Sequence, residues 1–232
     1  MVRPREFDEA AVLDAAIECF WSHGYEATSM RNLTETMGIT AASLYNAFGD
    51  KRSLYRRALD HYVERGFCER ARRFERQLPP REAIVAFFDE IIAMSLGDPQ
   101  RKGCMIVNSA LEVAPHDPEF QLVVADVTKQ MEAFFYRCVK AGQLAGTVSA
   151  AQSADDLASL LLGVLMGLRV LARIRPEREL LEGALRPVLA QLGYPNYGGK
   201  RSRTGQESAI LGQKRRHGVR PERMDPNRSR QG

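Results

Sequence analysis

The chain has 232 residues, 44% hydrophobic and 27% charged, which suits one or two globular domains with a sizeable core and excludes a disordered or collagen-like chain. The formal net charge of +4 is unevenly placed. Ten basic and three acidic residues follow Gly199, so this tail carries +7 and the rest −3, and the N-terminal region is not a strongly basic domain.

In chain order, Asp8 precedes an amphipathic helix over Glu9–His23, with Val12, Leu13, Ala16, Ile17 and Phe20 as its buried stripe and Gly24 as its stop. Ser29 is an N-cap residue, and Met30, Leu33 and Met37 recur at helical spacing. Gly38 supplies a left-handed turn, with Ile39 as its apolar plug. Thr40 caps a second helix in which Leu44 and Phe48 share the inner face. Gly49 ends it and Asp50 caps the next. Two short helices joined by a glycine turn form a helix-turn-helix unit. The outer side of the second helix carries Ala41, Ala42, Tyr45 and Asn46, small or hydrogen-bonding groups that suit a DNA groove.

A long helix is expected over 51–77, carrying Leu54, Leu59, Tyr62, Val63 and Phe67 inward. Pro79-Pro80 breaks it, and Pro80 starts a helix apolar on more than one face through Ile84, Phe87, Phe88, Ile91, Ile92 and Met94. Gly97-Asp98-Pro99 ends that helix. A short helix is expected over 104–113, and a long one over 118–141 with Asp117 as cap and Phe134 and Phe135 inside. A loop follows over 142–149, then helices over about 154–174 and 177–192. No segment alternates in the strand manner, so the fold class is all-α. The expected organisation is a helix-turn-helix unit at 1–56, a larger helical domain at 57–195, and a basic, disordered tail at 196–232.

Cys19, Cys68, Cys104 and Cys138 are far apart with no C-x-x-C pair, which argues against a zinc ribbon and a disulfide framework and makes a reducing cytoplasm the default. Cys19 and His23 share a helical face, but two ligands do not make a metal site, and no cofactor is expected. The opening MVRPREF has no apolar run behind it to act as a signal peptide. The strongest apolar run, Leu157 to Leu168, stops at Arg169 and is shorter than the ~20 residues of a membrane span, so a buried or interfacial helix and no membrane partner are expected.

The stretch HGYEATSMRNL followed by GITAASLYNAFGDKRSL resembles the tetracycline-repressor (TetR/AcrR) family of bacterial regulators. Thr28, Ser29, Met30, Gly38, Leu44, Tyr45, Phe48 and Lys51 occupy the places of its Thr/Ser pair, apolar residue, turn Gly, Leu-Tyr pair, Phe and Lys. The segment GCMIVNSALEVAPHDPEF is similar to one subgroup. The resemblance implies an all-helical homodimer, each subunit with a three-helix DNA-binding domain and a larger domain that takes a small-molecule effector. The chain departs from the commonest form at Ala41-Ala42, where a Lys-Gly pair is frequent, and at Asn46-Ala47, where two His often follow the Tyr.

Chemistry assigns the candidate contacts. Asn46 can pair bidentately with adenine, and the methyls of Ala41 and Ala42 can meet thymine. Thr40, Ser43, Tyr45 and Lys51 suit phosphate, with Lys51 at a helix N-terminus that itself favours an anion. Ser29 and Arg31 complete the DNA-facing set. The basic residues Arg3, Arg5, Arg31, Lys51, Arg52, Arg56 and Arg57 must be sorted to one side to serve DNA. Tyr45 as a core residue and Asn46 as merely exposed are the bland alternatives. For the effector, the candidates are Phe87, Phe88, Ile91 and Phe135 as apolar walls and Cys104, Asn108, Ser109 and Glu112 as polar or thiol contacts. The polar set can equally be a solvated helix edge. An enzyme is the second class considered; no Ser-His-Asp context or phosphate loop supports it. A helical ligand-binding protein without DNA function is the third.

Overall fold

The computed structural model of the chain describes residues 7–198, and every regular element in that span is a helix. Arg3, Arg5 and the tail from residue 199 onwards lie outside the described residues. α1 (Glu9–His23) starts at Asp8, whose carboxylate accepts from Ala10 N, and it buries the expected stripe. α2 (Met30–Met37) starts at a reciprocal cap: Ser29 Oγ accepts from Asn32 N and Asn32 Oδ1 accepts from Ser29 N, which satisfies two donors the helix leaves orphaned. Gly38 sits at φ +66 with nothing within 4 Å of an added Cβ, so the turn needs glycine for its backbone and not for room. α3 (Ala41–Phe48) starts at Thr40, whose Oγ1 accepts from Ser43 N at 3.1 Å, and it buries Leu44 and Phe48.

The expected helix over 51–77 is not uniform. It consists of α4 (Lys51–Val63), a π-helical turn (Glu64–Cys68) and α5 (Glu69–Gln77). Val63 and Phe67 keep a four-residue spacing that fits either geometry, so periodicity conceals the extra residue. In this turn Phe67 is buried edge-on to Phe87 and Phe134, with ring centroids at 6.1 Å from each.

α6 (Pro80–Leu96) starts with proline at its first position, and α7 (Met105–Glu112) is the expected short helix. α8 (Pro118–Leu144) is capped by Asp117 and runs past the expected end at 141. It carries Gly142 inside the helix, where a Cβ would meet Val148 Cγ2 at 2.6 Å. Gly142 is therefore a close-approach residue and not the start of the loop. α9 (Ala154–Ile174) is capped by Ser153, and α10 (Arg178–Gln191) follows. α9 continues through Arg169, so it is long and apolar enough by length and composition to cross a membrane. Its face of Leu157, Ala158, Leu161, Leu165, Leu168 and Ala172 is buried in the domain, where α8 lies along it.

The centre of the larger domain is a ring cluster. Phe88 and Phe135 stack at 5.5 Å, and Phe87 meets Phe88, Phe134 and Phe135 at 5.3–5.8 Å, in the offset and edge-on arrangements aromatic quadrupoles prefer. The packed body ends beyond the expected limit at 195. Tyr197 is buried, and its hydroxyl donates to Asp89 Oδ1 at 2.6 Å; Tyr194 OH donates to Glu82 Oε1 at 3.0 Å.

Candidate nucleic-acid interface

Burying Leu44 and Phe48 leaves the other side of α3 in solvent. Ala41, Ala42, Tyr45 and Asn46 are all exposed, Tyr45 at 51%, which rules out a core role for that ring. Thr40 is exposed and Ser43 half-buried; beyond its cap bond, Thr40 Oγ1 donates to Ser43 Oγ at 3.0 Å. Ser29 is spent on its cap. Arg31 is exposed on α2 and donates to Glu35 at 2.8 Å, a surface pair that solvent screens. Lys51 is half-buried at the first position of α4, where its Nζ donates to Glu26 O at 3.3 Å and lies 4.4 Å from the Tyr25 ring centroid.

Arg52, Arg56 and Arg57 are each answered by carboxylates of the protein. Arg52 grips Asp117 with two hydrogen bonds of 2.7 and 3.1 Å and reaches Glu119 at 2.6 Å. The guanidinium pulls the Asp117 carboxyl down to about 2, helped by the backbone N–H groups of Phe120 and Glu119. Arg56 pairs with Asp60 at 3.1 Å, and Arg57 pairs with Glu9 while donating to Ala47 O at 3.3 Å. The condition that these cations be sorted to one side for DNA is not met by Arg52, Arg56 and Arg57, which hold the N-terminal unit together and tie it to α8.

Those ties are part of a wider seam. Tyr55, buried on α4, meets Ser109 Oγ on α7 at 2.7 Å, and burial pushes its phenol up to about 12. Ser109 Oγ donates in turn to Met105 O at 2.7 Å. Glu112 Oε1 accepts from Glu26 N at 3.1 Å in the loop between α1 and α2. The Tyr25, Tyr55 and Phe120 rings close the gap, at 4.7–6.4 Å from one another.

The structure thus scatters the effector candidates among different tasks. Ser109 and Glu112 sit in the seam. Asn108 bridges Lys102 O, to which its Nδ2 donates at 3.1 Å, and Arg173, from which its Oδ1 accepts at 2.9 Å. Cys104 is buried, with the Tyr62 hydroxyl 3.8 Å from its sulfur. Phe87, Phe88, Ile91 and Phe135 are buried core residues, and the three phenylalanines fill the ring cluster. None of the eight lines the cavity of about 370 Å³ between Trp21 on α1, the end of α6 and α9, which Arg169 also lines. Sequence reasoning passed over Arg169 as the end of an apolar run. An arginine set among the apolar residues of such a helix is itself a signal, because arginine is almost never buried without a purpose.

Two family models match the chain: the N-terminal model of bacterial regulatory proteins of the tetR family over residues 12–58, and the tetracyclin repressor-like C-terminal domain over residues 80–188. The chain is 42% identical over 137 residues to YezE, an HTH-type transcriptional regulator of Bacillus subtilis, a match spanning 59% of this chain and 70% of that protein. It is 28% identical over 172 residues to the HTH-type transcriptional repressor ComR of Escherichia coli, covering 74% and 82% respectively. Among solved structures it is similar to the TetR family regulator CifR, in a cysteine mutant complexed with 26-bp operator DNA, with a TM-score of 0.72 and 32% identity over 81% of this chain and 98% of that one. With its helix-turn-helix, its helical C-terminal domain and these relatives, the chain belongs to the TetR family of DNA-binding transcriptional regulators.

Proposed function

We propose that this chain is a cytoplasmic repressor that binds a near-palindromic operator as a homodimer through α3 and leaves it when a small molecule occupies the C-terminal domain. The observation that carries the reading is the outer face of α3. Four side chains of groove-compatible size and chemistry stand in solvent on a helix whose inner face is locked by Leu44 and Phe48. Asn46 is the base reader, Ala41 and Ala42 are the methyl contacts, Tyr45, Thr40, Ser43, Arg31 and Lys51 position phosphate, and Ser29 serves them by fixing the start of α2. Repression is supported by the relatives named as repressors, and operator binding by the CifR complex.

The dimer is supported by surface that a monomer leaves wet. Leu160, Val170 and Ile174 are exposed on α9, and Gly163 and Gly167 stand on the same helix with open space where a side chain would be. Helices meeting there can approach closely, and pairing α9 and α10 with their two-fold mates gives an isologous four-helix bundle. Effector release is supported by the larger domain and its cavities. A ligand lodged among Phe87, Phe88, Ile91 and Phe135 must first part rings already in contact.

The test is a gel shift of the full chain against its own upstream DNA, with sedimentation of the free protein. Salt-sensitive, sequence-selective retardation by a dimer is expected. A monomer at micromolar concentration, or retardation equal on unrelated DNA, defeats the reading.

A further inference from the structure

The cavity beside α1 has a charge it does not neutralise. Arg169 is 7% exposed, at the end of the apolar run that begins at Leu157 in α9. Its Nη1 donates to Ser95 Oγ at 2.7 Å and its Nη2 donates to Gly103 O. Both acceptors are neutral, and among the described residues no carboxylate pairs with it. A guanidinium offers five N–H donors, so most of its capacity is unspent. Burying an unpaired charge is costly, and proteins as a rule pair such a group.

The rest of the lining does not supply the missing anion. Lys102 pairs with Glu18 at 2.8 Å. Asp98, the acid on the lining, accepts from Gln100 N at 3.1 Å and Lys102 N at 2.7 Å, in its own loop. Arg101 and Arg173 add two more cations, and among the described residues Arg173 has only the neutral Asn108 Oδ1 as its side-chain acceptor. A second observation is independent of charge. Trp21 lines the cavity, and its indole Nε1 is buried with no hydrogen-bond partner, a donor left waiting for an acceptor. Met94, Pro99, Ala172 and the indole ring give the same cavity an apolar wall.

We propose that this cavity binds a small organic carboxylate with an apolar or aromatic body. The carboxylate accepts from Arg169 and the body lies against Trp21, Met94 and Pro99. At about 370 Å³ the space is at the small end of the ~300–1,000 Å³ typical of ligand sites. A neighbouring cavity shares Trp21, Arg101, Lys102 and Arg173 and reaches Thr36 on α2, so the site adjoins the helix-turn-helix. Its role as the effector site rests on the repressor reading above; its role as an anion site does not.

Trp21 is the single tryptophan of the chain, so its fluorescence reports occupancy in the intact protein. The probes are sodium benzoate, its neutral isostere benzamide, and inorganic phosphate. Benzoate is expected to give a saturable change and to bind at least about tenfold more tightly than either control, the scale of one charge-assisted hydrogen bond. Arg169→Gln should weaken benzoate at least about tenfold. Because Arg169 also anchors the loop at Gly103, the exposed Arg173→Gln serves as the second variant; it should keep wild-type helix content and bind benzoate several-fold more weakly. No saturable change, equal binding of benzamide or phosphate, or unaltered affinity in both variants overturns the site. Saturable benzoate binding with unchanged operator affinity keeps the anion site and removes its effector role. Failure to bind any operator removes the repressor reading and leaves the fluorescence result standing.

Discussion

The hydrogen bond between Tyr55 and Ser109 makes an asymmetric prediction. Ser109 Oγ has one proton and gives it to Met105 O at 2.7 Å, so the Tyr55 hydroxyl is the donor in the 2.7 Å bond between them. Both groups are buried. Tyr55→Phe removes the donor, leaves Ser109 with its other bond and keeps the ring contacts, so it should cost only about 0.5–1 kcal/mol. Ser109→Ala removes the acceptor and strands the Tyr55 hydroxyl away from water. That should cost about 1–3 kcal/mol, of which the better helix propensity of alanine in α7 offsets about 0.5. The double variant strands nothing, so its cost should fall below the sum of the two singles. For a chain of this size ~1 kcal/mol moves the melting temperature by about 2–4 °C, which thermal unfolding at one fixed protein concentration resolves. If Tyr55→Phe is the more damaging single change, or the two costs add, the donor assignment and the seam built on it are wrong.

Three more outcomes are expected. Asn46→Ala should cost ~1–3 kcal/mol on the operator and relax preference at one base pair, whereas Lys51→Ala should weaken all sequences alike and lower the salt slope by about 1; binding titrations across operator variants and salt separate the two. Gly38→Ala should cost about 1–2 kcal/mol in urea unfolding from the φ of +66 alone, since an added Cβ meets nothing within 4 Å; a larger loss would mean an unseen clash. Asp117, held down to about 2 from an ordinary 3.8, should stabilise the fold above pH about 4 and lose that contribution as pH falls towards 2; Asp117→Asn should flatten acid unfolding in that window.

The N-terminal unit was legible because its signals are local. Ser29, Thr40 and Asp50 cap, Gly38 turns, and Leu44 and Phe48 repeat at helical spacing, so each element carries its own boundary. The seam was not legible, because its partners are distant in the chain. Nothing near Arg52 announces Asp117, and nothing near Glu26 announces Glu112. Whether Arg52, Arg56 and Arg57 were free for DNA was not legible for the same reason: sequence reports charge, while packing decides which charge is already answered. The π turn at Glu64–Cys68 was hidden by a spacing common to two helix types. Arg169 was visible but read as punctuation, since an apolar run ending in arginine looks the same whether the helix stops or continues.

The seam also bounds what a signal must supply. The N-terminal unit is fastened to α7 and α8 by Arg52 on Asp117 and Glu119, Tyr55 on Ser109 and Glu26 N on Glu112, and to the 97–103 loop by Lys102 on Glu18. A ligand shifts the balance between operator-bound and released arrangements only by the difference in its affinity for the two. A hundredfold loss of operator affinity therefore needs about 2.8 kcal/mol of differential binding, at ~1.4 kcal/mol per tenfold. A hydrogen bond to a charged group is worth about 1.5–3 kcal/mol, so one or two carboxylate contacts at Arg169, made in one arrangement and lost in the other, suffice. The Lys102–Glu18 pair is the place to look for the transfer, because Lys102 lines the cavity and Glu18 lies on α1. Glu18→Gln breaks the pair from the α1 side, outside that cavity, and should keep benzoate binding while uncoupling it from operator release in a gel shift. Equal release by wild type and variant would send the coupling through α4 and Tyr55 instead.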